Sequence, residues 1–269
     1  MSSAVTRTPL VRHGAGAAGE VSDWVVVEEP LEIRIAGEPL VVTMRTPGHD
    51  HELAAGLLLS EGLIASRADL GTMSHCGRVD SEEYGNVLDV VGAPGVVLEV
   101  PESGGRRLPM TASCGICGRQ SIDALFERVG TLTDSLVVRA ARIVELSRGL
   151  SAAQPGFERT GGLHAAGIAA PNGAYLCVRE DIGRHNAVDK AIGRLLLDDA
   201  LPSGGVLVVS GRTSFEIVHK AWVARIPVLV AVSAPSSLSI ATARRAGITL
   251  IGFSRGDGFN VYTHAQRIV

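Results

Sequence analysis

Gly205-Val206-Leu207-Val208-Val209, Ile226-Pro227-Val228-Leu229-Val230-Ala231-Val232 and Ile248-Thr249-Leu250-Ile251-Gly252-Phe253 are three near-continuous apolar runs. Each has the length of a strand buried on both faces, and the two segments between them, 215–224 and 238–246, read as helices. Strand, helix, strand, helix, strand with short links predicts parallel strands joined by right-handed crossovers. The second half of the chain is therefore expected to be a layered α/β domain around a buried sheet.

In such a sheet ligands bind beyond the carboxyl ends of the strands. Ser210-Gly211-Arg212-Thr213-Ser214 follows the first run, Ser233-Ala234-Pro235-Ser236-Ser237 the second, and Ser254-Arg255-Gly256-Asp257-Gly258-Phe259-Asn260 the third. Upstream, a strand at 174–179 leads through Glu180-Asp181-Ile182-Gly183-Arg184-His185-Asn186 into a helix at 187–197. Asn186, Thr213 or Ser214, and Ser236 or Ser237 are ordinary N-cap residues, and capping explains any one of them. It does not explain Arg184, Arg212 and Arg255 on the same edge, where helix N-termini already favour anions. Arginine forks beside free N–H groups suit phosphate, so a phosphorylated ligand is expected. The absence of Gly-x-x-x-x-Gly-Lys-Ser/Thr, and of Gly-x-Gly-x-x-Gly after the strands, argues against an ordinary P-loop nucleotidase or dinucleotide dehydrogenase.

Further upstream, Thr160-Gly161-Gly162-Leu163-His164-Ala165-Ala166-Gly167-Ile168-Ala169 precedes a hairpin-type turn, Pro171-Asn172-Gly173. Residues 137–147 read as a helix and 149–157 as a loop, and Cys177 alternates within a strand as a core residue. Before them stands Ser113-Cys114-Gly115-Ile116-Cys117-Gly118, followed by helical spacing at Ile122, Leu125, Phe126 and Val129. Two thiols at a helix start face the positive end of the helix dipole, which favours the thiolate. The pair could be half of a zinc site, a redox couple, a sulfur-transfer site or two inert thiols. Zinc would need two more ligands, and only Cys76, Cys177 and scattered histidines are on offer.

The first half is strand-rich. Runs at 24–27, 31–35 and 40–44 include a hairpin turn at 36–39, and Thr46-Pro47-Gly48-His49-Asp50 introduces a helix at 51–64 weakened by Gly62. His49 and His51 read as a polar helix entry, and 87–91 and 96–100 read as further strands. Residues 1–20 are expected to be a flexible tail, 21–109 a small strand-rich α+β domain ending in a polar linker at 101–109, and 110–269 the α/β domain.

The 269 residues suffice for one large or two ordinary domains, and 46% hydrophobic with 20% charged residues indicates a globular chain. A net charge of −3 with 4% aromatics offers no footprint for nucleic acid. No apolar run approaches the ~20 residues of a membrane span, and no signal-peptide core follows Met1. Four cysteines without a secretion signal suit a reducing cytoplasm.

Several long polar blocks now carry a resemblance: Thr46-Pro47-Gly48-His49-Asp50, the Cys114–Cys117 block, 160–166, Arg179-Glu180-Asp181-Ile182-Gly183-Arg184-His185-Asn186, Ser210-Gly211-Arg212-Thr213-Ser214-Phe215-Glu216, 230–238 and 252–262. Together they resemble the FdhD family of formate dehydrogenase accessory sulfurtransferases. The resemblance implies that sulfur is taken from a cysteine desulfurase as a cysteine persulfide. It is then passed to the molybdenum cofactor, bis(molybdopterin guanine dinucleotide), before formate dehydrogenase takes that cofactor up. It implies Cys114 as the persulfide carrier and Cys117 as its helper. It maps the guanine dinucleotide site onto Phe253, Ser254, Arg255, Gly256, Asp257 and Gly258, the edge that also carries Arg212 and Arg184, with GDP as a mimic of the cofactor. It further implies a cytidine deaminase-like layering of the larger domain and a homodimer; the deaminase His-x-Glu signature is missing, so deamination is not implied. A thiol–disulfide exchanger and a non-catalytic cofactor chaperone are the competing functional classes.

Overall fold

The computed structural model describes residues 4–13, 19–77, 85–100, 127, 129–133, 135–201 and 204–269. The expected sulfur-handling block, with Cys114 and Cys117, lies outside the described residues, as does the linker at 101–109.

The apolar runs of the second half become β9 (Val206–Val209), β10 (Val228–Ala231) and β11 (Thr249–Arg255), parallel to one another as expected. Their six-stranded sheet has the order β12-β11-β10-β9-β7-β8 and is mixed rather than wholly parallel. β7 (His164–Ala169) runs antiparallel to β9 and to β8 (Tyr175–Asp181), and β12 (Gly258–Val261) runs antiparallel to β11. Because β8 is reversed twice relative to β9, it shares direction with the parallel strands. The carboxyl ends of β8, β9, β10 and β11 therefore lie on one edge, together with the amino end of β7.

Helices cover both faces. α2 (Ala140–Ala152) brings Ile143, Leu146 and Leu150 against Val206, Val208, Val228, Val230 and Ile251. The alternate strand positions, Leu207, Val209, Leu229, Ala231 and Leu250, belong to a second cluster with residues of α4 (Arg184–Leu197), α5 (Phe215–Val223) and α6 (Ser237–Ala246). Alternation between two apolar faces is what a buried central sheet requires. The short α3 (Pro155–Thr160) occupies part of the segment expected to be a loop, with Pro155 at its first position, where no N–H is needed.

In the first half β3 (Glu29–Ile35), β4 (Glu38–Arg45), β5 (Leu70–His75) and β6 (Val87–Gly92) form a sheet of order β4-β3-β6-β5. α1 (Asp50–Glu61) ends at Gly62, whose left-handed backbone makes it the C-cap. Leu53, Leu57 and Leu58 of α1 share one hydrophobic cluster with Leu31, Ile33 and Leu88 of this sheet and with Ile192 and Leu229 of the other half. The core thus runs across the expected boundary between the halves. Contact between α1 and α4 is close enough to exclude a side chain: a Cβ on Gly56 would lie 2.0 Å from the Asp189 carbonyl oxygen, and one on Gly193 1.8 Å from that of Glu52.

Three expectations need correction. Val5–Arg12, assigned to a flexible tail, is strand β1, paired antiparallel with β2 (Gly19–Val26); the Gly-Ala run at 14–17 hid the alternation on either side of it. Residues 96–100 form no strand, although Leu98 is buried. The segment after β11, read as an open loop, turns back at Gly256 and Asp257 into β12.

Candidate ligand site at the sheet edge

The loops at the carboxyl edge are knitted together by their backbones. Thr213 N–H donates to the Ala234 carbonyl at 3.1 Å, Ser236 N–H to that of Thr213 at 3.0 Å, and Phe253 N–H to that of Ser233 at 3.1 Å. Of the three expected caps only Ser236 acts as one, accepting from Ser239 N–H. Ser214 precedes α5 without a capping bond and instead meets His185 Nε2 at 3.3 Å. Asn186 lies inside α4, where its amide donates to the Met44 carbonyl and to Asp181. The N-cap of α4 is Gly183, and among the described residues no side chain caps this helix, so its positive end is left to the edge.

Arg184 opens α4, and its Nε is buried without a hydrogen-bond partner among the described residues. It lies against Gly211: a Cβ on that glycine would sit 3.4 Å from His164 Nδ1 and 3.5 Å from Arg184 Cδ. Arg212, exposed on the same loop, adds its charge, and both guanidiniums act on His164. Burial lowers the His164 pKa most, followed by Arg184 and Arg212, against an opposing pull from Asp181. Burial likewise pushes His185 down to about 4, assisted by Arg184 and Lys220 and opposed by Glu216. The edge therefore combines two permanent cations with two imidazoles held neutral.

The residues expected for the guanine end lie two strands away. Phe253 and Arg255 end β11, Gly256 and Asp257 make the turn, and Gly258 opens β12. A register shift between Gly252 and Arg255, with Phe253 at φ 53°, puts a bulky residue in the left-handed region. Such a bulge re-aims side chains at an edge and is costly unless the surroundings enforce it. Here it leaves Phe253 exposed with the Arg255 guanidinium 5.6 Å from its ring centroid. Ser254 points the other way, its Oγ 2.6 Å from that of Ser147 on α2, and Asp257 pairs with Arg148. These two contacts fasten the hairpin to α2.

His164, His185, Gln154 and Phe157 were not singled out as site residues from the sequence. Only the reversed direction of β7 puts the amino end of a strand, and hence His164, among the carboxyl-end loops. A hollow of about 330 Å³ opens there, lined by Ser151, Gln154, Phe157, Leu163, His164 and Ser210. A larger hollow of about 540 Å³ lies beside β8, but its charged lining is already engaged: Arg179 with Glu52, Lys190 with Asp181, and Glu180 with the N–H groups of Gly156 and Phe157. Cys177 is core, as expected: burial raises its thiol pKa to about 11, and Sγ donates to the Ala191 carbonyl.

Fold and edge define the class: a layered α/β protein with an electropositive rim at the carboxyl ends of its strands. The chain belongs to the FdhD/NarQ family, whose model matches residues 26–269. It is 48% identical to a relative from Anaeromyxobacter sp. (strain K), over 99% of this chain and 94% of that one. A relative from Mycobacterium tuberculosis is 52% identical over 91% of this chain and 92% of its own. Both relatives bear the name sulfur carrier protein FdhD. The fold is similar, at a TM-score of 0.78 and 25% identity over 99% of this chain and 100% of the other, to a crystal structure from Desulfotalea psychrophila described as a candidate formate dehydrogenase accessory protein. Among the described residues no helix is long and apolar enough to cross a membrane.

Proposed function

We propose that the protein is a sulfur carrier that accepts sulfur from a cysteine desulfurase as a persulfide on Cys114 and delivers it to bis(molybdopterin guanine dinucleotide)-molybdenum destined for formate dehydrogenase. The observation that carries this reading is near-full-length similarity to sulfur carrier proteins in a chain that holds the Cys114–Cys117 pair between glycines. The competing reading as a plain thiol exchanger has no use for a rim of arginines.

In the loading step the Cys114 thiolate attacks the outer sulfur of the donor's persulfide. The donor S–S bond breaks, its thiolate leaves, and the outer sulfur stays on Cys114. In the discharge step the Cys117 thiolate attacks Cys114 Sγ, closing a disulfide and releasing the outer sulfur as hydrosulfide to the substrate metal. The two thiols supply the two electrons, and a cellular thiol reductant reopens the pair. Arg184 and Arg212 hold the substrate's phosphates, and Phe253 with Arg255 holds its guanine, for which GDP is the mimic. Such a thiol cycle suits a reducing cytoplasm, and the same reading has the protein working as a homodimer.

After incubation with a desulfurase and cysteine, mass spectrometry is expected to show one added sulfur on the wild type and none on Cys114→Ala. The variant should keep the wild-type circular dichroism and fail to restore formate dehydrogenase in a strain lacking its own accessory protein. Undiminished loading of Cys114→Ala would falsify the assignment.

A further inference from the structure

The hollow between α2, α3 and the start of β7 has no part in the reading above, and its chemistry differs from that of the arginine rim. Its polar groups are neutral. The Ser210 hydroxyl accepts from Ala165 N–H at 2.9 Å, which leaves its own proton to donate. The Gln154 amide nitrogen donates to the Leu150 carbonyl at 3.0 Å, which leaves its side-chain oxygen as an acceptor. His164, held neutral, offers one donor and one acceptor. Phe157 supplies an aromatic wall: it is 46% exposed, on a helix fixed by Glu180, whose carboxylate accepts from the N–H groups of Gly156 and Phe157 at 2.9 and 2.8 Å. An exposed phenyl ring over convergent neutral donors and acceptors, in a volume of about 330 Å³, suits a flat heterocycle rather than an anion.

Position relates the hollow to the hairpin. α2 carries Ser147 and Arg148, which fasten Ser254 and Asp257, and one turn further, ~6 Å along the axis, it presents Ser151 to the hollow. On another side, His164 and Gly211 join the hollow to Arg184. A ligand with a base at the hairpin and phosphates on the arginines can therefore continue into it.

We propose that this hollow is a second heterocycle subsite, in which Phe157 stacks on a pterin-type bicyclic ring and His164, Ser210 and Gln154 hydrogen-bond its edge. The inference rests on the proposed function, which gives the hairpin the guanine end of the same substrate. It adds a site for the other end and names the residues that hold it.

The test uses two separable probes on the full chain, GDP followed by calorimetry and neopterin followed by its fluorescence. The wild type is expected to bind both at once, with neopterin not displaced by saturating GDP. Phe157→Ala, a change at an exposed side chain, should weaken neopterin about tenfold through loss of the stacking face and leave GDP affinity unchanged. His164→Gln should weaken neopterin by a similar factor, and Arg255→Ala should show the opposite selectivity. GDP binding without neopterin binding, displacement of neopterin by GDP, or full neopterin affinity in Phe157→Ala overturns the subsite and leaves the guanine site standing. Neopterin binding without GDP binding overturns the guanine site and leaves the subsite standing. Binding of neither probe overturns both.

Discussion

Lys190 Nζ lies 2.6 Å from Asp181 Oδ2, with both side chains closed to solvent, where the two halves of the chain meet. Thr46 from the first half completes the arrangement: its N–H donates to Asp181 at 3.1 Å, its carbonyl accepts from Lys190 at 2.8 Å, and its hydroxyl accepts from Ile182 N–H at 3.1 Å. Asp181 also accepts from Gly183 N–H and from the Asn186 amide, so the loop that launches Arg184 is set by one buried carboxylate. Removing one partner strands a buried charge. Lys190→Met is expected to cost about 3–5 kcal/mol in urea unfolding, with much of that recovered in Asp181→Asn/Lys190→Met. A double variant no more stable than Lys190→Met would show that the pair is not the source of the loss.

The α1–α4 contact makes a sharper stability prediction. A methyl group on Gly56 has nowhere to go, because the Asp189 carbonyl is backbone and cannot rotate away. Gly56→Ala should destabilise by at least ~2 kcal/mol, although Ala is the better helix former. Gly37→Ala, where a Cβ meets nothing but φ is +86°, serves as a control for strain without overlap.

Protonation of His185 sets a pH dependence. Its pKa lies at about 4 in the fold, chiefly through burial, against 6.5 as the ordinary value. Between those values the unfolded chain binds the proton and the native state does not, so stability falls as pH drops from 6.5 towards 4 and no further below it. The loss attributable to this group is at most about 3 kcal/mol. His185→Asn should flatten that part of a stability profile followed by chemical denaturation, and an unchanged slope would assign it to other groups.

Arg184 should discriminate phosphates. With its Nε buried and unpartnered among the described residues, Arg184→Met is expected to weaken GDP about ten- to hundredfold while leaving guanosine unaffected. Arg184→Lys should recover only part of the loss, because an ammonium cannot present a planar fork. Calorimetry with both ligands settles it; equal losses for GDP and guanosine would mean that the loop had collapsed.

Local pattern decided a good deal. The near-continuous apolar runs that became β9, β10 and β11 have no polar face to present to water, so they had to be central strands, and the helices between them forced parallel pairing. The chemistry of the edge loops, with Arg184, Arg212 and Arg255 after strand ends, was legible for the same reason, and the Cys114–Cys117 pair is legible in sequence alone. Tertiary structure decided which of these residues meet. Strand direction is a property of pairing, so only the antiparallel β7 brings His164 beside Arg184. The Ser147–Ser254 and Asp181–Lys190 contacts span 107 residues and 9 residues of chain respectively, and neither is encoded by spacing. Amphipathic periodicity fixes what a segment hides from water, whereas the site depends on which buried groups find one another, and that is settled only when the layers close.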